Sequence, residues 1–308
     1  MNKFINNSLI FICIIAIIIL FSLFFIPNKK INENSLFANI DKHKRLDSLP
    51  SPKIILIGGS NFAYGINSKM IEENTHYPVV NMGLHAGFGL MYTINEVKDN
   101  IRKGDIVVLS PVYQWLKSGN EMLYGEEVLI ALLFDVNRSD LRYLNVEQGI
   151  YLLPNTVSYA VSKLVPRKLD VMGEGADWYE KIYLRTAFNK YGDESQHWKY
   201  PKQSISIGIS EDNSDISLKS VETVRKFRLY VEKQGARFIM IPPSLINYNT
   251  IRPFANKLSA ILKQNKTPFA IEPDSCVLDS SLFFNTAYHL NKRGVEIYTR
   301  ILIDKILE

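Results

Sequence analysis

Leu9 to Ile26 form an unbroken run of eighteen residues without a charge, in which Ser22 is the only polar side chain besides Cys13. At about 1.5 Å per residue such a helix spans roughly 27 Å, about the thickness of a bilayer core. Every face of it is apolar, which excludes a half-buried surface helix. The run closes Leu-Phe-Phe-Ile-Pro, without the small-residue site at which a signal peptide is cut. The pattern therefore predicts an uncleaved single-span anchor over residues 1–30, followed by a polar linker over residues 31–50.

Beyond the linker the pattern changes to short apolar runs alternating with amphipathic stretches. Lys53 to Gly59 (Lys-Ile-Ile-Leu-Ile-Gly-Gly) reads as a strand buried on both faces with a tight exit turn. Tyr77 to Gly83, Asp105 to Ser110 and Arg237 to Pro243 read as three more strands. Helices are expected over Met91–Ile101, Ser220–Gln234, Ile251–Gln264 and Lys292–Leu307. In the last of these Val295, Tyr298, Ile301, Leu302 and Ile306 share one face. This alternation predicts an α/β domain over residues 51–308, with a mostly parallel sheet between helices on both faces. Residues 116–210 break the rhythm. They are rich in tyrosine, show no clear period, and are expected as a mainly helical insertion over one end of the sheet.

Composition adds little to this picture and excludes one class. The formal net charge is +5, and Lys29, Lys30, Lys42, Lys44 and Arg45 cluster just after the apolar run, so the basic balance is juxtamembrane. No zinc-finger, ribonucleoprotein or basic-helix pattern accompanies it, which argues against nucleic acid as a partner. Lys3 and the α-amino group precede the span and Lys29 and Lys30 follow it. Counted near the ends, these charges slightly favour a cytoplasmic C-terminal side. Cys13 lies in the span and Cys276 is alone in the domain, so no disulfide forms within the domain.

Ligands of open α/β sheets bind at the carboxyl ends of the strands, and three segments bring polar residues there. Gly58-Gly59-Ser60-Asn61 puts a serine on a glycine turn, exposed and close to backbone N–H groups, as a nucleophile requires. The same pattern also suits a helix-capping serine. Asn81-Met82-Gly83 offers a glycine N–H for an oxyanion and an asparagine to fix the loop. His289-Leu290-Asn291 brings a histidine just ahead of the last helix, where it serves as a general base or as a capping residue. No pair of histidines or carboxylates has a metal-ligand spacing. Gly87-Phe88-Gly89 is too short for a dinucleotide or phosphate loop.

Taken in order, these segments resemble a known family. Ile54 to Asn61 resembles block I of the SGNH/GDSL hydrolases, whose glycine-serine turn presents the nucleophile. Asn81-Met82-Gly83 is similar to block II, whose glycine N–H helps form the oxyanion hole. Asn285 to Gly294 (Asn-Thr-Ala-Tyr-His-Leu-Asn-Lys-Arg-Gly) is similar to block V, which supplies the base. The Tyr-His-Leu-Asn-x-x-Gly wording, the N-terminal anchor and Phe188 to Asp193 resemble the membrane-anchored branch found in bacterial cell-envelope loci. Members of that branch are akin to acyltransferases of exopolysaccharide, lipopolysaccharide or teichoic acid. The resemblance covers residues 53–308 and implies a three-layer α/β/α fold and a Ser60–His289 pair. It further implies an oxyanion hole at Gly83 and Asn81, no cofactor and no metal, and an extracytoplasmic domain. The implied partners are an envelope glycan or acyl ester, membrane lipid around the N-terminal helix, and a membrane-bound acyltransferase.

Two departures leave two functional readings open. The family's block III asparagine is missing: the third strand runs into Ser110-Pro111-Val112-Tyr113-Gln114, where Ser110, Tyr113 or Gln114 stands in. The block V acid three residues before the histidine is Thr286 here, with Asn285 next to it. Neither bears a negative charge to stabilise an imidazolium. Ser60 and His289 then act as a dyad oriented by Asn285, Thr286 or a carbonyl, with Asp279 as a distant acid, or the domain is a non-catalytic module that binds glycan or recruits an acyltransferase. Among the other histidines, His85 follows block II closely enough to line the same pocket. His197 is expected at the surface or in packing, and His43 and His76 as solvated residues. The insertion carries Trp178, Tyr179, Tyr183, Tyr191, Trp198 and Tyr200 beside Asn189, Asp193 and His197. That composition suits either a packed helical cap or a wall that stacks on sugar rings.

Overall fold

The computed structural model describes residues 2–27, 34–119, 121–164, 179–205, 215–246 and 251–308. Helix α1 (Asn2–Phe25) is long and apolar enough to cross a membrane, and nearly all of its side chains are exposed. Its last turn is rooted in the domain. Ser22 and Leu23 are buried, and Ser22 Oγ donates to the Ala160 carbonyl at 2.6 Å. Lys29 and Lys30 lie outside the described residues.

From residue 34 onward, the stretch expected as a linker is a folded part of the domain. Helix α2 (Ala38–Ser48) buries Ala38, Asn39, Lys42, His43 and Leu46. Its buried face is largely polar, which is why the sequence reads as a solvated linker. His43 has Nε2 3.2 Å from Glu96 and 3.6 Å from Asp140, both of them buried carboxylates.

Four parallel strands, β1 (Ile54–Gly58), β2 (Val79–Asn81), β3 (Ile106–Ser110) and β4 (Arg237–Met240), pair in the order β2-β1-β3-β4. Every residue of β1 and β3 is buried, as their unbroken apolar runs require of strands covered on both faces. The edge strand β4 opens with the exposed Arg237. Helices α3 (Ser60–Ala63) and α4 (Ser68–Thr75) connect β1 to β2, and α5 (Gly89–Lys98) returns the chain to β3. The insertion contributes α6 (Glu127–Ala131), α7 (Val146–Leu164) and α8 (Tyr179–Ile182). Helix α9 (Leu218–Lys233) leads into β4, and α10 (Arg252–Gln264) and α11 (Lys292–Leu307) complete the chain.

The chain moves outward from β1 to β2 and then reverses to β3. Right-handed crossovers therefore put α4 on one face of the sheet and α5 and α9 on the other. Helix α11 packs on α4, and α5 on α9. The reversal falls between β1 and β3, so the binding crevice of this topology opens at the carboxyl ends of those two strands, where Gly58 is paired with Ser110.

Candidate functional site

Ser60 sits at that crevice. It opens α3 directly after the Gly58-Gly59 turn, so its own N–H has no partner within the helix. The turn is clamped by Asn61, whose Oδ1 accepts from Gly59 N at 2.9 Å and whose Nδ2 donates to Ser110 O at 3.2 Å and Ser110 Oγ at 3.0 Å. Ser110 thereby ties β3 to the serine turn. Ser60 is half-buried, and its Oγ makes no hydrogen bond among the described residues.

The second segment lies against the first. A side chain at Gly83 would bring its Cβ to 2.7 Å from Phe62 Cβ and 2.9 Å from the Gly59 carbonyl, so only glycine permits this approach. The segment is held from every side. Asn81 Nδ2 donates to Phe62 O at 2.8 Å and to Asp193 Oδ1 at 2.9 Å. The Lys42 ammonium donates to Asn81 O and Gly83 O, both at 2.8 Å, and to Gly192 O. Gly83 N–H donates to Asn81 Oδ1 at 2.9 Å. The expected oxyanion donor is thus engaged within its own loop, because Asn81, two residues back, folds onto it. The Ser60 N–H is left as the donor on the open side.

His289 approaches from the third segment. Its ring stacks on Tyr64, one helical turn after Ser60, with centroids 4.2 Å apart and planes 10° from parallel. Its Nδ1 lies 3.0 Å from Asn285 Oδ1, while Asn285 Nδ2 donates to the Tyr183 hydroxyl at 3.2 Å. That second bond turns the amide so that its oxygen faces the imidazole. The proton therefore resides on Nδ1, and Nε2 is left as a basic lone pair without a partner among the described residues. Thr286 shapes the loop: its Oγ1 accepts from Tyr288 N at 3.2 Å and His289 N at 3.0 Å. Burial, reinforced by the neighbouring His197 and His85, pushes the His289 pKa down to about 3. With no carboxylate on Nδ1, nothing offsets the cost of the charged ring.

Several expected residues stand elsewhere. Asp279 is exposed and caps the turn that follows it, accepting from Ser281 N at 2.8 Å. Tyr113 is buried against Phe254, and Gln114 Oε1 accepts from the Tyr288 hydroxyl at 3.3 Å. His85, by contrast, stays close enough to His289 to disfavour its charged ring; it is exposed, and its Nδ1 accepts from Gly87 N at 3.0 Å, which puts its proton on Nε2. His76 is an exposed left-handed helix cap, as its solvated loop reading implied.

The insertion meets the site through residues of both kinds. Trp178 lies outside the described residues. Tyr183 and Tyr200 pack with Tyr64 and Phe284 around the His289 loop. Tyr191 is buried under the Arg45 guanidinium, and Trp198 packs on the main core, so neither is a free sugar platform. Asp193 and His197, read as residues for sugar hydroxyls or packing, are wholly buried. Asp193 accepts from Ser68, Asn81 and Asn189. His197 bridges Glu194 at Nδ1 and the Leu290 carbonyl at Nε2, 2.8 Å away. A carbonyl only accepts, so Nε2 carries a proton. Beside His289, the histidine with a carboxylate partner is therefore His197, which fastens the insertion to the loop bearing His289.

Lys42 and Tyr64 are supports that sequence reasoning missed, and Asp193 and Tyr183 were named only as parts of the aromatic insertion. Tyr64 alone left a usable trace, because it lies one helical turn from the serine. No protein-family model and no curated protein matches the chain.

The depressed His289 pKa has a kinetic consequence for any reaction that uses the ring as a base. Such a reaction requires the neutral ring and is lost only as pH falls toward about 3. The rate is expected to show no acidic limb between about pH 5 and 8, measured as kcat/KM against a soluble ester. A limb near the ordinary histidine value would show that the ring is not held in this state.

Proposed function

We propose that the chain is a membrane-anchored serine acyltransferase or esterase of SGNH type, acting on acyl esters of a cell-envelope glycan. One observation carries the reading. A serine at the switch point of a parallel sheet lies one helical turn from a tyrosine on which a histidine stacks, and that histidine turns an unengaged Nε2 away from its Asn285 partner. In the proposed chemistry Ser60 Oγ attacks the ester carbonyl and passes its proton to His289 Nε2. The ring returns that proton to the departing alkoxide, leaving an acyl-Ser60 ester. A sugar hydroxyl or water, deprotonated by the same ring, then attacks and releases the serine. The Ser60 N–H faces the developing oxyanion. Helix α1 supports single-span anchoring, with the domain on the extracytoplasmic side as in the family it resembles.

The test is covalent trapping. A fluorophosphonate probe is expected to label the full-length protein at Ser60, with labelling lost in His289→Ala. No labelling of the folded protein, or labelling indifferent to His289, would overturn the reading.

A second reading has its own support. The engaged Gly83 N–H, the missing carboxylate on His289 and its low basicity suit a non-catalytic domain that binds glycan or partners a membrane acyltransferase. Glycan binding by a folded protein that does not take up the probe would favour it.

A further inference from the structure

Helix α7 has three sectors rather than two. At about 100° per residue, one sector carries Gln148, Leu152, Tyr159 and Ala160, which are buried against the domain. The next carries the polar residues Glu147, Asn155 and Ser158 toward solvent. The third, about 100° wide, carries Val146, Ile150, Leu153, Pro154, Val157, Val161 and Leu164 with no polar residue among them. Val146 is 80% exposed, Ile150 69%, Leu153 59%, Val161 48% and Leu164 41%, so the stripe is open along the whole helix. Single exposed apolar residues are ordinary, but a continuous stripe marks a contact surface.

The place of α7 selects the contact. Its C-terminal half is bonded to the last turn of α1, through Ser22 Oγ to Ala160 O at 2.6 Å and Lys163 Nζ to Leu23 O at 3.2 Å. The two helices also pack together. Arg138 marks the same level. Its guanidinium donates to Phe24 O at 2.7 Å and lies over the Phe24 ring, as a cation does at a bilayer surface beside the end of a span. A helix fixed to the point where α1 leaves the apolar core, with one open apolar face and one polar face, has the build of an in-plane interfacial helix. Helix α7 itself is not among the helices apolar enough to cross.

We propose that α7 lies in the plane of the lipid headgroup–acyl boundary, its Val146–Leu164 stripe sunk into the leaflet that α1 exits. The domain is then held against the membrane by two helices instead of hanging from a tether. This rests on the reading of α1 as a membrane span, and the experiment separates the two. Cys13 lies in the middle of α1 and is exposed, while Cys276 is buried with its thiol pushed up to about 12. A thiol-directed fluorophore thus reports α1 in the natural chain. Cys13→Ala with Ile150→Cys, and Cys13→Ala with Ser158→Cys, report the two sides of α7. The full-length protein is reconstituted in phosphatidylcholine vesicles brominated near the carbonyls or near the chain ends.

The expected result is strong quenching at Cys13 by deep bromine and at Ile150→Cys by shallow bromine, with Ser158→Cys at least fivefold less quenched. Quenching at Cys13 without quenching at Ile150→Cys overturns the proposal and leaves the anchor standing. No quenching at Cys13 overturns the anchor and the proposal with it. Energy transfer between Ile150→Cys copies that persists on dilution into excess lipid would assign the stripe to a second copy of the chain and overturn the proposal.

Discussion

Ser60→Ala is expected to lower acyl-ester turnover by about 10³-fold or more while leaving thermal stability nearly unchanged. The two halves of this expectation come from different observations. A serine nucleophile and its base act as one unit, so removing the oxygen forfeits the whole covalent route and leaves only binding and oxyanion stabilisation. Stability is spared because Ser60 is half-buried and its Oγ holds no hydrogen bond among the described residues. The turn is held by Asn61, through Gly59 and Ser110, and not by the serine. The structural cost should therefore stay within about 0.5 kcal/mol, the range of substitutions that break no named contact. Turnover of a chromogenic ester and a melting curve on the same preparation decide the matter. Unchanged turnover in Ser60→Ala would remove Ser60 from the chemistry. A large loss of stability would mean that the serine is a structural cap.

The parts legible in sequence were those written in one local pattern. The strands and the last helix follow from unbroken apolar runs and a 3.6-residue period, and their observed bounds differ from the expected ones by a few residues at the ends. Ser60 and His289 were legible because glycine turns and a pre-helix histidine are local signals. Two elements were not. Helix α2 looked like a linker because three of the five residues it buries are Asn39, Lys42 and His43, whose partners lie at residues 81, 83, 92, 96, 137, 140 and 192. Helix α7 showed no period because its apolar residues occupy both the domain face and the open stripe, leaving only a narrow polar arc. Hydrophobic periodicity detects a helix with one wet side, and each of these departs from that rule in the opposite direction. The engagement of Gly83 N–H by Asn81 was illegible for a different reason. Asn-x-Gly permits the loop to close on itself or to stay open, and Asp193 and Lys42, remote in sequence, fix it closed.

Lys42 also sets the largest structural prediction. Lys42→Met is expected to destabilise the domain by about 3 kcal/mol at pH 7 and to lower Tm by roughly 6–12 °C. The lysine is 2% exposed and spends its three donors on the carbonyls of Asn81, Gly83 and Gly192. Methionine fills similar space but donates nothing. Three buried carbonyls then lose their partner, at about 1–3 kcal/mol each, offset in part by relief from burying an ammonium. The pH dependence reports the cost of burying the ammonium. Burial pushes the Lys42 pKa down to about 7, against an unfolded value of 10.5. Between these two values the unfolded chain binds more protons at this site than the folded one, so stability contributed through Lys42 rises with pH. The difference in unfolding free energy between the natural chain and Lys42→Met should therefore widen from pH 7 to pH 9, by up to about 1.4 kcal/mol per pH unit. Denaturant melts at the two pH values measure it, and a difference that stays constant or narrows would show that the three carbonyls outweigh the cost of burying the ammonium. Ester turnover in the folded fraction of Lys42→Met should fall as well, because the lysine fixes the loop that packs on the Gly59 turn beside Ser60.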